Sequence, residues 1–288
     1  MSLPPPDLKE LSALLRLLDD ETPEVRAVVR GKIENFGGDI SEVLPNVAES
    51  LSGLDRKILS EILSPVRRRI LREEWLTPAF GSAAFEGDWE LFESQLRLLS
   101  DFLHDGVSIR QPLSDALDLL AEEFTANASP VASEDELRVF LFEEGRLKPN
   151  HGDYYDPRNS DLAWCIAEGV SNPIGLGLIF MLIGKRLDMR IEGVSFPGHF
   201  LCRIFDEDEA LVVDCFDRGK VHSQKILLDS SNELTDEQRE YLSRASDLGT
   251  ILLRVLNNLV QSLSRANRVD DSTLLAEIRD SMAVEQIK

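Results

Sequence analysis

His199 and Asp214 are the pair in this sequence whose types and spacing could do chemistry together. His199 opens the strand-like run Phe200-Leu-Cys-Arg-Ile-Phe205, and Asp214 lies near the end of the next one, Ala210-Leu-Val-Val-Asp-Cys-Phe216. An imidazole held by a carboxylate on a neighbouring strand is two thirds of a cysteine–histidine–aspartate triad. In such a triad a thiolate at a helix N-terminus attacks a carbonyl, the histidine shuttles the proton, and the aspartate fixes the useful tautomer. The rival reading is a hydrogen-bonded pair that only locks two strands together.

Candidates for the missing nucleophile are limited by the pleat of a strand. Cys202 follows His199 by three residues, and alternation sends residues three apart to opposite faces. Cys215 follows Asp214 directly and should point away from it. Cys165 stands on a preceding helix among Leu162, Trp164 and Ile166, where a buried, inert thiol is expected. Ser171 is nearest to the start of the apolar helix that begins at Ile174, and it reads as part of that helix start. A zinc site from His199, Cys202, Cys215 and His222 meets the same objection from the pleat, and its C-x6-H spacing matches no familiar knuckle. No metal and no cofactor is expected. His104 ends a helix, and His151 sits in the polar loop Asn150-His-Gly-Asp153, where it reads as solvated.

Three further motifs occur in order around this pair: Tyr155-Asp-Pro-Arg-Asn-Ser160, Ser171-Asn-Pro-Ile174 and Pro197-Gly-His-Phe-Leu201. With them, residues 85–225 resemble the SirB-type bacterial transglutaminase-like proteins. The resemblance implies a transglutaminase or cysteine-protease-like core. Counting back from the helix end at Leu187-Asp188, it puts the cysteine of an active enzyme at Pro173, and family members commonly carry proline there. Pro173, His199 and Asp214 are then vestigial triad positions. Asn172 as N-cap with Pro173 at the first helical position is a sound helix start without a nucleophile. The sequence departs from the family where a basic pair usually precedes that helix, since Gly169-Val170 stands there. Tyr154, Tyr155, Arg158 and Asn172 are the candidates for lining a residual ligand cleft, although Asp156-Pro157 is also a strong turn signal.

The elements that must position these residues follow from periodicity. Leu11, Leu14, Leu15 and Leu18 form one helical face, and Thr22 and Pro23 start a second helix carrying Val25, Val28, Val29, Ile33 and Phe36. A third helix is expected over Ile40–Leu51, and a fourth with Ile58, Leu59, Ile62 and Leu63 that Pro65 interrupts. Arg67-Arg-Arg69 reads as a solvated helix face. Helical periodicity returns between Trp89 and Phe124 and over 134–144. Short strands then follow, with Asp206-Glu-Asp-Glu209 as a hairpin turn. Leu248, Leu252, Leu253, Leu256 and Leu259 mark a late helix. The turn Asp20-Glu-Thr-Pro-Glu-Val-Arg26 resembles that of a HEAT-type repeat. Leu252-Leu-Arg-Val-Leu-Asn-Asn-Leu259 resembles the tetratricopeptide-like segment that follows the core in the family. The expected fold is α+β, a small antiparallel sheet flanked by helices, divided as 1–75 (helical, HEAT-like), 76–228 (core) and 229–288 (helical).

Composition narrows the function. The chain has 288 residues with 31 Lys+Arg against 52 Asp+Glu, a net charge of −21. Most of that sits in residues 76–225, where 13 basic face 27 acidic side chains. This excess argues against nucleic acid and against anionic membrane surfaces. Three cysteines and the absence of a basic, apolar leader at Met1-Ser-Leu-Pro4 point to a reducing, cytoplasmic setting. The apolar run Ile174–Ile183 is too short to span a bilayer. The expectation is a catalytically inactive, transglutaminase-like protein that binds or regulates a protein or peptide partner, of unspecified oligomeric state. The alternatives are a hydrolase or acyl transferase using an unorthodox cysteine or serine, and a helical-repeat scaffold.

Overall fold

A computed structural model describes residues 8–47, 51–76, 85, 87–207, 209–230 and 234–283. The chain forms two compact units, one of residues 1–75 with 101–110, the other of 76–100 with 111–288.

In the first unit, α1 (Leu8–Leu15), α2 (Pro23–Glu34) and α3 (Gly53–Glu74) pack Leu11, Leu14, Val29, Ile33, Leu59, Ile62 and Leu63 into one core with Val107. α2 starts at Pro23 as its sequence predicts, but the Thr22 side chain makes no cap; the Thr22 amide donates instead to Asp20 Oδ1 at 2.8 Å. The helix expected over Ile40–Leu51 is reduced to a 3₁₀ turn, Leu44–Asn46. Pro45 lacks an amide donor there, and the Ile40 amide is already drawn to the carbonyl of Gly106 at 2.9 Å; residues 48–50 lie outside the described ones. α3 continues through Pro65 to Glu74, because Leu63, Val66 and Leu71 on both sides of the proline are buried and outweigh one missing hydrogen bond. The basic cluster is also not wholly solvated. Arg67 is 7 % exposed, and its guanidinium donates to the carbonyls of Gly38 (3.2 Å), Ser60 (3.1 Å) and Asp105 (3.0 Å). Beside it, His104 Nδ1 lies 3.0 Å from Asp39 Oδ2. Burial raises the pKa of Asp39, but hydrogen bonds from His104 and Ser41 outweigh it and hold the carboxyl well below its ordinary range.

The second unit carries the α+β core. α4 (Trp89–Leu103, its last three residues grouped with the first unit) and α5 (Leu113–Asn127) precede α6 (Glu134–Arg138), which a π-helical turn, Val139–Glu143, extends. β1 (Lys148–Pro149) pairs in parallel with β2 (Val170–Ser171), on either side of α7 (Leu162–Glu168). After α8 (Pro173–Arg186) come β3 (Glu192–Val194), β4 (Leu201–Asp206), β5 (Glu209–Asp214) and β6 (Lys220–Ser223), an antiparallel sheet in sequence order. α9 (Gln224–Ser230), α10 (Asp236–Ser243), α11 (Leu248–Arg265) and α12 (Val269–Ala283) complete the unit.

α8 is the centre of this unit. Every residue from Pro173 to Gly184 is buried, as befits a helix apolar on all sides. Gly177 lets the sheet approach: a Cβ there would lie 2.6 Å from the Phe200 ring and 3.2 Å from Cys202 Sγ. The register gives the sheet two distinct faces. Cys202, Val213 and Val221 are cross-strand partners on the α8 side, and Arg203, Val212 and His222 pair on the other. On that second face Val194, Val212 and Leu242 pack with Leu227 and Leu228 of α9. Among the described residues, no helix is long and apolar enough to cross a membrane.

Candidate functional site

The site is built on the end of the sheet and the start of α8. The Asp214 carboxylate caps the short 3₁₀ turn Cys215–Asp217, its Oδ1 accepting from the amides of Phe216 (2.9 Å) and Asp217 (3.0 Å). The same oxygen lies 2.9 Å from His199 Nε2. A carboxylate can only accept here, so Nε2 carries the proton and Nδ1 is left as the basic nitrogen. Burial raises the Asp214 pKa, yet the hydrogen bond and charge of His199, together with the two amides, outweigh it and lower the pKa overall. Both side chains keep about a quarter of their surface exposed, His199 28 % and Asp214 23 %.

Among the described residues, no thiol and no serine hydroxyl hydrogen-bonds to the imidazole. Pro173 occupies the first position of α8, and Asn172 caps the helix, its Oδ1 accepting from the Gly175 amide at 2.9 Å. Ser171 is fully buried and donates to the Asn159 carbonyl at 2.8 Å. Cys165 Sγ sits 3.2 Å from Ser171 Oγ and 3.4 Å from the Arg158 and Asn159 carbonyls, and burial pushes its pKa up. Cys202 Sγ lies 3.7 Å from the Gly177 carbonyl. Cys215 is buried against Cys202, and its pKa is raised by that burial and by its neighbour. Cys165 and Cys215 are therefore held as shielded, protonated thiols. His222 lies on the opposite sheet face from Cys202, so the two cannot share a metal. Among the described residues no cluster of three His, Cys, Asp or Glu side chains could hold one.

The loop 150–160 hangs on one side chain. Asn159 is fully buried; its Nδ2 donates to the carbonyls of Asp153 (2.7 Å) and Tyr154 (3.1 Å), and its Oδ1 accepts from Asn150 Nδ2 (2.9 Å). That network presents Tyr154 and Tyr155, both exposed, with ring centroids 5.0 Å apart. Phe216 links them to the histidine: its ring meets the edges of Tyr154 (5.9 Å), His151 (4.8 Å) and His199 (6.3 Å). Arg158 is engaged otherwise, paired with Asp156 (Nη2–Oδ2 2.6 Å) and lying over the Trp164 ring at 4.8 Å. Arg265 of α11 stacks on Tyr155 at 3.6 Å. Of the four candidate lining residues, the structure therefore brings Tyr154 and Tyr155 to His199 through Phe216. Asn172 is taken up by its cap and Arg158 by its carboxylate.

The profile of the transglutaminase-like superfamily matches residues 108–257, just over half of the chain, and includes His199, Asp214, the loop 150–160 and the start of α8. The chain belongs to the transglutaminase-like superfamily. It is 34 % identical over 144 residues to a UPF0162 protein of Xylella fastidiosa, covering 48 % of this chain and 51 % of that protein. It is 31 % identical over 134 residues to a UPF0162 protein of Pseudomonas aeruginosa, covering 46 % and 47 %. Over 157 residues it is 27 % identical to human F-box only protein 21, covering 51 % of this chain and 24 % of that protein. The chain thus spans about half the length of the bacterial relatives it matches. No solved structure matches it.

The sequence does not reveal as neighbours of the site Phe216, His151, Arg265 and Arg254, whose guanidinium donates to the Phe196 carbonyl. One signal was available for the arginines: α11 has no acidic residue in its 18 positions, in a chain that averages more than three per such stretch.

Proposed function

We propose that this protein is a transglutaminase-like pseudoenzyme of the SirB type that acts in the cytoplasm by binding a protein or peptide. One observation carries the reading. The residue at the start of α8 is a buried proline, and the Ser171 hydroxyl and the Cys165 and Cys202 thiols are hydrogen-bonded away from His199. Without a nucleophile the imidazole cannot drive formation of an acyl intermediate. What stays accessible is the His199–Asp214 pair and the Tyr154–Tyr155–Phe216 rings, a surface of the aromatic, partly polar kind that favours peptide contact.

The test is a thiol-reactive activity probe applied to the folded protein beside His199→Ala. The expected result is no labelling that depends on His199, and labelling of all three cysteines only after unfolding. Native labelling abolished by His199→Ala would show a working thiol and end this reading.

A further inference from the structure

An unbroken run of ring contacts crosses the surface beside His199. Arg265 lies on Tyr155, Tyr155 meets Tyr154, Tyr154 meets Phe216, and Phe216 meets His199. A second arginine stands at the His199 end. Arg254 Nη1 donates to the Phe196 carbonyl at 2.8 Å, the same oxygen that accepts the His199 amide at 3.0 Å, and the guanidinium lies 5.9 Å from the Phe200 ring. Arg254 and Arg265 are eleven positions apart on α11, which brings them to within about 20° of one face after three turns.

These two cations differ from the others near the loop. Arg158 is held by Asp156 and Arg268 by Asp271 (2.7 Å), whereas neither Arg254 nor Arg265 has a carboxylate partner among the described residues. Arg254 is more than half buried, and the loss of water pulls its pKa down, so an anion would relieve a real desolvation cost. Two of the nearby carboxylates are already neutralised, Asp156 by Arg158 and Asp271 by Arg268. In a chain of net charge −21, α11 contributes two arginines and no acid to this surface.

We propose that this surface binds an extended acidic peptide, with one carboxylate on Arg254, a second on Arg265, and the intervening residues against Tyr154, Tyr155 and Phe216. The proposal rests on the binding role inferred above and names its ligand class. Eleven helical residues span about 16 Å, which an extended chain covers in about five residues, so the two acidic side chains belong five positions apart. Arginine supplies charge-assisted, bidentate geometry for each carboxylate, and tyrosine supplies apolar area with little rotamer entropy to lose. The overall negative charge disfavours nucleic acid as the anion.

Fluorescence anisotropy with two labelled hexapeptides tests this: Glu-Ala-Tyr-Ala-Ala-Glu, and the same peptide with both Glu replaced by Gln. The acidic peptide is expected to bind at least about tenfold more tightly. That advantage should vanish in R254Q/R265Q and shrink as salt rises from about 50 to about 300 mM. R265Q alone, an exposed change that leaves the fold intact, should remove part of it and guards against misfolding of the double variant. Equal affinity for the two peptides would overturn the acidic specificity while leaving the peptide-binding role standing. Binding of neither would overturn both, and tighter binding of a single-stranded oligonucleotide than of the acidic peptide would overturn the peptide as occupant.

Discussion

On the helix side of the candidate site, Asn172, Ser171, Cys165 and Asn159 direct their polar atoms at one another and at backbone, with almost no surface exposed. On the sheet side, His199 and Asp214 hydrogen-bond to each other and keep about a quarter of their surface in solvent. One side is framework, and the other is open to solvent. Asparagine as cap and proline at the first helical position are what a helix start favours on local grounds. His199 is instead held by a single carboxylate at a strand end and keeps 28 % of its side-chain surface exposed.

The contrast can be broken by substitution. Gly175→Ala should do the most damage, since its Cβ would lie 2.1 Å from Ser171 Oγ and 2.8 Å from the Asn159 carbonyl oxygen. A loss of about 3 kcal/mol is expected from urea midpoints. Asn172→Ala removes a buried cap and should lose about 1 to 2 kcal/mol, also visible in thermal melts.

Asp214→Asn sharpens the contrast through pH. The folded carboxyl has a lowered pKa, so its stabilisation is complete above the ordinary value of 3.8 and is lost as pH falls through the lower folded value. The difference in stability between wild type and variant, about 1 kcal/mol near neutrality, should therefore hold steady down to about pH 4 and close below it. A difference that instead changes between pH 5 and 8 would put the histidine, not the aspartate, in control of the pair. The smallest effect belongs to His199→Ala, which should move stability by no more than about 0.5 kcal/mol. A cost matching that of Asn172→Ala would make both sides structural and erase the distinction.

What could be read from the sequence divides along the same line. The helix start at Asn172-Pro173 and the strand bearing Cys202 are local signals, one of capping and one of alternation, and both appear in the structure where they were expected. Pro65 misleads because burial on both sides of it overrides a local breaker, and Arg67 misleads because its carbonyl partners come from Gly38 and Asp105, distant in sequence. The same distance hides the stacking of Arg265 on Tyr155, which are 110 positions apart. Asn159 is the intermediate case: its motif stands out in the sequence, but its work as the staple of the Tyr154 loop depends on three partners that periodicity cannot supply.

The carbonyl cage of Arg67 bears on how the gene can be divided. Two of its oxygens, those of Gly38 and Ser60, are encoded before codon 76, but the third, that of Asp105, is not; nor are Val107 of the same core and the Gly106 carbonyl that receives the Ile40 amide. A fragment stopped at codon 75 would encode three helices around a buried cation short of an acceptor. The shortest reading frame that holds this unit together runs on to residue 110, so it carries with it a length of chain, 76–100, that folds with the other unit.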